Sequence, residues 1–206
     1  MKRIVFDPVQ CDLCGACMAA CSVIKKGRID FSRSRIRIET AGSCKPLRAA
    51  VCAHCEEPAC VTACMRGIIG KDETSGLVTR RYEDCFRCAA CLVSCPVGAV
   101  LEDKDMKAFI ACDLCGKDGS GEDPLCVRVC LRGALRFEEE AAASADLRSL
   151  YAVQMFTEKP AAPAELTDKQ WEEIVRMIEA ECGCRLTVSA LKEAQKELRR
   201  SAEEGM

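Results

Sequence analysis

Sixteen of the nineteen cysteines fall into four groups of four, a spacing that makes thiolate ligands for soft metals. The groups are Cys11-x2-Cys14-x2-Cys17-x3-Cys21, Cys52-x2-Cys55-x4-Cys60-x3-Cys64, Cys85-x2-Cys88-x2-Cys91-x3-Cys95 and Cys112-x2-Cys115-x10-Cys126-x3-Cys130. In a C-x2-C-x2-C-x3-C run three thiolates hold one [4Fe–4S] cube and the fourth reaches a second. The third group also has Pro96 directly after its fourth cysteine, where proline fixes the backbone leaving the cube. Zinc is the competing chemistry, because tetrahedral zinc also takes four thiolates. Zinc sites usually come as two separated C-x2-C pairs, whereas cysteines at successive x2 spacing suit three corners of a cube. A disulfide framework would need an oxidising compartment and would not require this spacing.

The rest of the chain offers little for catalysis. His54 is the single histidine, and there is no Gly-rich nucleotide loop and no C-x3-C-x2-C run. His54 is expected beside the ligands or at the surface rather than among them. The three remaining cysteines, Cys44, Cys182 and Cys184, are expected as inert thiols. No basic excess or basic–aromatic stripe points to nucleic acid. No apolar run approaches the ~20 residues a membrane span needs. The residues after Met1 run straight into 4–8 without the apolar region of a signal peptide, so a cytoplasmic location is expected. The formal charge is −2. Sixteen thiolates and four cubes of about +2 each would take it to about −10, since bound metal inverts local charge logic. Arg66, Arg87, Arg128 and Arg132 in the cysteine loops are read as partly offsetting that charge and raising the potential.

The elements that must position these thiols are small. Short β-type runs are expected at 2–6, 34–39, 77–81, 99–102, 107–111 and 134–138, leading into or out of the cysteine groups. After the second, third and fourth groups a glycine (Gly67, Gly98, Gly133) follows the last cysteine by three residues and opens a strand. This repeat of ligand loop, short helix, glycine turn and strand predicts an α+β fold with short strands and helices. Only nine residues are aromatic, thin for a core of this size, so folding and metal binding should be coupled. The predicted organisation is 1–138 for a double two-cluster body, 139–165 for a helical arm and Pro/Ala linker, and 166–206 for a helical hairpin tail. Thr167 and Gln170 read as a capping box ahead of an apolar stripe at Trp171, Ile174, Val175 and Ile178. That stripe would cover the body or a partner subunit, with the partner favoured.

The cysteine pattern over 1–138 resembles the four-cluster electron-transfer subunits of molybdenum and tungsten oxidoreductases, the dimethyl-sulfoxide-reductase iron–sulfur subunit superfamily. Cys52-Ala53-His54-Cys55-Glu56-Glu57-Pro58-Ala59-Cys60 is similar to that family's second run, and the stretch at 34–38 to the tungsten aldehyde oxidoreductase and carbon monoxide dehydrogenase branch. Met65 and Leu131 depart from it, standing where proline commonly follows the fourth ligand. The resemblance implies a tandem bacterial-ferredoxin-like fold in which the first run pairs with the fourth and the second with the third. It implies four [4Fe–4S] clusters, held by Cys11, Cys14, Cys17 and Cys130; by Cys112, Cys115, Cys126 and Cys21; by Cys52, Cys55, Cys60 and Cys95; and by Cys85, Cys88, Cys91 and Cys64.

The expected function is that of a non-catalytic subunit carrying single electrons. Its partners would be a tungsten- or molybdenum-pterin catalytic subunit and a further electron-transfer protein. The alternatives are a free polyferredoxin, or the corresponding subunit of carbon monoxide dehydrogenase or a hydrogenase. An oxidoreductase acting through Cys182 and Cys184 is a third reading.

Overall fold

The computed structural model describes residues 2–41, 45–116, 122–139 and 165–204. Eight strands pair there as four separate two-stranded antiparallel ribbons. Strand β1 (Lys2–Phe6) pairs with β8 (Leu135–Glu139), from Lys2 opposite Glu139 to Phe6 opposite Leu135. This ribbon brings the first cysteine run to the fourth. Strands β4 (Ile69–Lys71) and β5 (Val78–Arg80) form the hairpin that turns the second run back onto the third. Strands β6 (Leu101–Asp103) and β7 (Ala108–Ile110) link the third run to the fourth. Strands β2 (Arg37–Ala41) and β3 (Lys45–Ala50) make an arm between the first two runs, with a register shift at Glu39/Thr40. A two-stranded ribbon is marginal alone, so each needs what lies between the ribbons.

The helices behind the ligand loops differ in length. α1 spans Ala16–Lys26, stopped by Gly27 at φ 71°, whose N–H returns to the Val23 carbonyl at 2.7 Å. Lys25 and Lys26 occupy its last turn, where a positive charge suits the helix dipole. α2 (Ala59–Thr62), α3 (Ala90–Val93) and α4 (Leu125–Arg128) are single turns, too short to persist without tertiary support. Their glycines Gly67, Gly98 and Gly133 all adopt positive φ. In the first run the helix simply continues past that point.

Helix α1 has two working faces. Cys17 and Cys21 share one core with Cys112, Cys126, Phe6 and Phe137. Ala16, Ala19, Ala20 and Val23 on the other face meet the C-terminal helices α5 (Asp168–Cys182) and α6 (Val188–Glu204). A second cysteine-rich core, around Cys91 with Cys60, Cys64, Cys85 and Cys95, joins the second and third runs.

The capping box forms: the Thr167 N–H donates to Gln170 Oε1 at 2.9 Å, and Gln170 N–H to Thr167 Oγ1 at 3.4 Å. The apolar stripe behind it packs inward, with Trp171 2% exposed and Ile174 and Ile178 fully buried. The small alanines of α1 let the helices approach, so this stripe covers its own body and is not a free docking surface. Strand β8 runs through Glu139, where the helical arm was expected to begin. The remainder of the arm and linker, 140–164, lies outside the described residues, as does Cys44. Cys182 and Cys184 are not free thiols: they are joined as a disulfide across Gly183.

Candidate iron–sulfur centres

Four cavities are each lined by four cysteines. Cys11, Cys14, Cys17 and Cys130 surround one. Cys21, Cys112, Cys115 and Cys126 surround a second, and Cys52, Cys55, Cys60 and Cys95 a third. Cys64, Cys85, Cys88 and Cys91 surround the fourth. Each set takes three thiols from one run and one from another, and together the four sets draw on all sixteen cysteines of the runs.

The loops achieve this with backbone conformations that side chains rarely adopt. The residue just before the second cysteine of every run is left-handed: Leu13 (φ 55°), His54 (φ 46°), Arg87 (φ 61°) and Leu114 (φ 51°). A non-glycine residue there costs roughly 1–2 kcal/mol, and four equivalent positions accept it to turn successive sulfurs toward one cavity. None is a glycine, so nothing in the residue types signalled it.

The fourth cysteine of each run also receives backbone N–H groups. Arg35 donates to Cys21 at 3.3 Å, Ala99 to Cys95 at 3.3 Å and Leu135 to Cys130 at 3.4 Å. For Cys64 slight burial raises the pKa, but N–H groups of Ile68, Arg66, Ile69 and Gly67 prevail and lower it. At several of the other cysteines burial dominates. It pushes Cys11 up to about 12, and it also raises Cys14, Cys17, Cys112 and Cys126. Thiols this buried ionise only with a cation present, so the donor set fits an iron–sulfur group whose binding releases protons.

The charged neighbours differ from the sequence reading. Arg87 pairs with Glu102, Arg128 with Glu122 and Glu181, and Arg132 with Asp12. Carboxylates therefore answer three of the four loop arginines, and Arg66 is exposed. Two arginines outside the loops touch sulfur, Arg35 through its backbone N–H and Arg80 through its side chain. Arg35, whose N–H meets Cys21, places its guanidinium 2.8 Å from Asp113 and over the Tyr82 ring. Arg80, on β5, donates to Cys60 Sγ at 3.5 Å. His54 is buried and accepts the Val78 N–H on Nδ1 at 2.9 Å, which puts its own proton on Nε2. Burial first, then the Arg80 charge, hold its pKa down at about 4 against Asp113, so it is neutral near pH 7.

The tail completes one site. Leu166 and Leu198 line the cavity of Cys11, Cys14, Cys17 and Cys130, and Arg199 donates to the Asp12 carbonyl at 3.4 Å. The opposite extreme is Cys88, the one exposed thiol among the sixteen.

Thiol quartets on tight loops, walled by apolar side chains and met by N–H donors, define an electron-transfer iron–sulfur protein. Residues 46–140 match the 4Fe-4S dicluster domain family. The chain is 32% identical over 129 residues to the polyferredoxin-like subunit of an aliphatic sulfonate oxidoreductase from Pyrococcus furiosus, covering 62% of this chain and 70% of that one. It is 30% identical over 142 residues to the thiosulfate reductase electron transfer subunit of Salmonella typhi, covering 65% and 73%. Against the NADH-dependent phenylglyoxylate dehydrogenase subunit beta of Aromatoleum evansii it is 39% identical over 137 residues, 66% of this chain but 30% of that relative's length. The chain belongs to this family of 4Fe–4S dicluster electron-transfer proteins, and it carries [4Fe–4S] clusters. No helix among the described residues is long and apolar enough to cross a membrane.

Proposed function

We propose that the four quartets each hold one [4Fe–4S] cube, in a tandem ferredoxin-like fold pairing the first run with the fourth and the second with the third. The body would comprise 1–138, with 166–206 as its helical cover. The observation that carries this reading is the set of four cavities, each lined by three thiols of one run and one of another. When bound, such a group takes up and gives back one electron. The chain's own residues do the rest. Sixteen thiolates hold the iron, backbone N–H groups offset their charge, and apolar side chains keep water from the sulfurs.

The chain itself would be non-catalytic. Its partner would be a catalytic oxidoreductase subunit, with a molybdenum or tungsten pterin supported by the family resemblance, and a second electron-transfer protein would complete the path. Sixteen ligand thiols suit a reducing compartment, which supports a cytoplasmic location. The face carrying Cys88 is the one that would meet a redox partner. Among the described residues five large apolar side chains stand exposed, and four of them, Met65 (79%), Phe86 (52%), Leu92 and Val93 (84%), lie close in sequence to cysteines of this quartet.

Iron and acid-labile sulfide in the anaerobically purified chain test the reading. Iron near sixteen per chain is expected, and Cys95→Ser should disturb the cluster of Cys52, Cys55 and Cys60 while that of Cys85, Cys88 and Cys91 keeps its EPR signal. Half that iron, zinc in its place, or loss of the signal belonging to Cys95's own run would overturn it.

A further inference from the structure

One arginine lies against two of the four sites. Arg80 lines the cavity of Cys52, Cys55, Cys60 and Cys95 and also that of Cys64, Cys85, Cys88 and Cys91. One of its terminal N–H groups points at Cys60 Sγ at 3.5 Å. Its Nε is buried and has no hydrogen-bond partner. No carboxylate among the described residues pairs with it, in contrast to Arg87, Arg128 and Arg132. Strand β5 explains the placement, because the hairpin with β4 turns the chain between the second and third runs.

We infer that Arg80 is a shared positioning residue for these two sites, raising the reduction potential of both with one uncompensated charge while donating one N–H to Cys60. The inference rests on the ligand sets proposed above. Reduction adds negative charge beside a fixed cation, so the cation favours the reduced form. At effective dielectric values near 20, a unit charge several ångströms away is worth more than a factor of ten in an equilibrium. The loop arginines cannot act so strongly, since carboxylates neutralise three and water surrounds the fourth.

The test is an EPR-monitored redox titration of the holoprotein as wild type, Arg80→Gln, Arg80→Lys and Arg87→Gln, with iron counted in each. Arg80→Gln should lower two of the four midpoint potentials by about a tenfold change in each reduction equilibrium, about 59 mV for one electron. The other two should stay in place, and iron content should not change. Arg80→Lys keeps the charge but loses the planar fork, so the same two potentials should fall by less. Arg87→Gln should move none appreciably. Movement of one potential alone, of none, or of all four alike would overturn the inference. Should Arg80→Gln lose its iron, Arg80→Lys decides: two signals lowered support the role, none moved refutes it. Iron lost from both makes Arg80 a folding residue and also refutes it. Wild-type iron far from sixteen would fail the four-site reading itself, before any Arg80 comparison.

Discussion

At the scale of single residues the sites depend on backbone conformation as much as on sulfur. The turn after the second cysteine of the first run uses Gly15 at φ 76°, and a Cβ there would meet Phe31 at 3.1 Å and Leu198 at 3.2 Å. Ala89 (φ 62°) stands at the equivalent place in the third run. Gly15→Ala therefore combines left-handed strain with overpacking and should cost about 2–3 kcal/mol. Thermal unfolding followed at the cluster absorbance should show a lowered midpoint, with iron lost first from the site of Cys11, Cys14, Cys17 and Cys130. An unchanged midpoint would mean that α6 gives way freely.

At the scale of elements the C-terminal helices decide which sites meet solvent. Trp171, Ile174 and Ile178 anchor α5 on the alanine face of α1, and α6 delivers Leu198 to one cavity wall. Leu198→Ser should leave the helix pair docked, because the anchors remain, while admitting water beside Cys11, Cys14, Cys17 and Cys130. Chelator-driven iron release should then become biphasic, with one cube's share leaving several-fold faster. Uniform release at the wild-type rate would show that Leu198 does not shield that site.

At the scale of the whole molecule, a buried carboxylate ties the β6–β7 ribbon to the chain around α1. Asp103, fully buried at the end of β6, meets Lys26 at 2.7 Å and Arg33 at 2.9 Å. Lys25 and Arg35 meet Asp113 in the same region, at 2.9 and 2.8 Å. Burial pushes the Asp103 pKa up, but the Lys26 hydrogen bond, the Met106 N–H, the Lys26 charge and the Asp105 N–H outweigh it and leave it lowered. A lowered folded pKa contributes stability above the unfolded value of about 3.9, and that contribution is lost as pH falls toward the folded value. Asp103→Asn should cost on the order of 2 kcal/mol at pH 7, by leaving Lys26 without its carboxylate and Arg33 with only Asp105 and Asp30. Denaturant midpoints of the two proteins should stay apart from pH 8 down to about 5 and converge as pH drops through 4. Midpoints that coincide at pH 7 would remove Asp103 from the account.

Sequence alone determined the chemistry, because ligation needs particular residue types at particular spacings. The sixteen cysteines, the glycine turns at Gly67, Gly98 and Gly133 and the Thr167–Gln170 cap were all readable from residue type. Tertiary structure alone decided what depends on long-range approach. The left-handed Leu13, His54, Arg87 and Leu114 carry no glycine signal, and Arg80 lies on a strand outside every loop. The fate of the Trp171 stripe was equally hidden, since an amphipathic helix looks the same whether its apolar face meets its own body or another chain. The alanines of α1 are what close that face inward, and only the packed structure sets them opposite it.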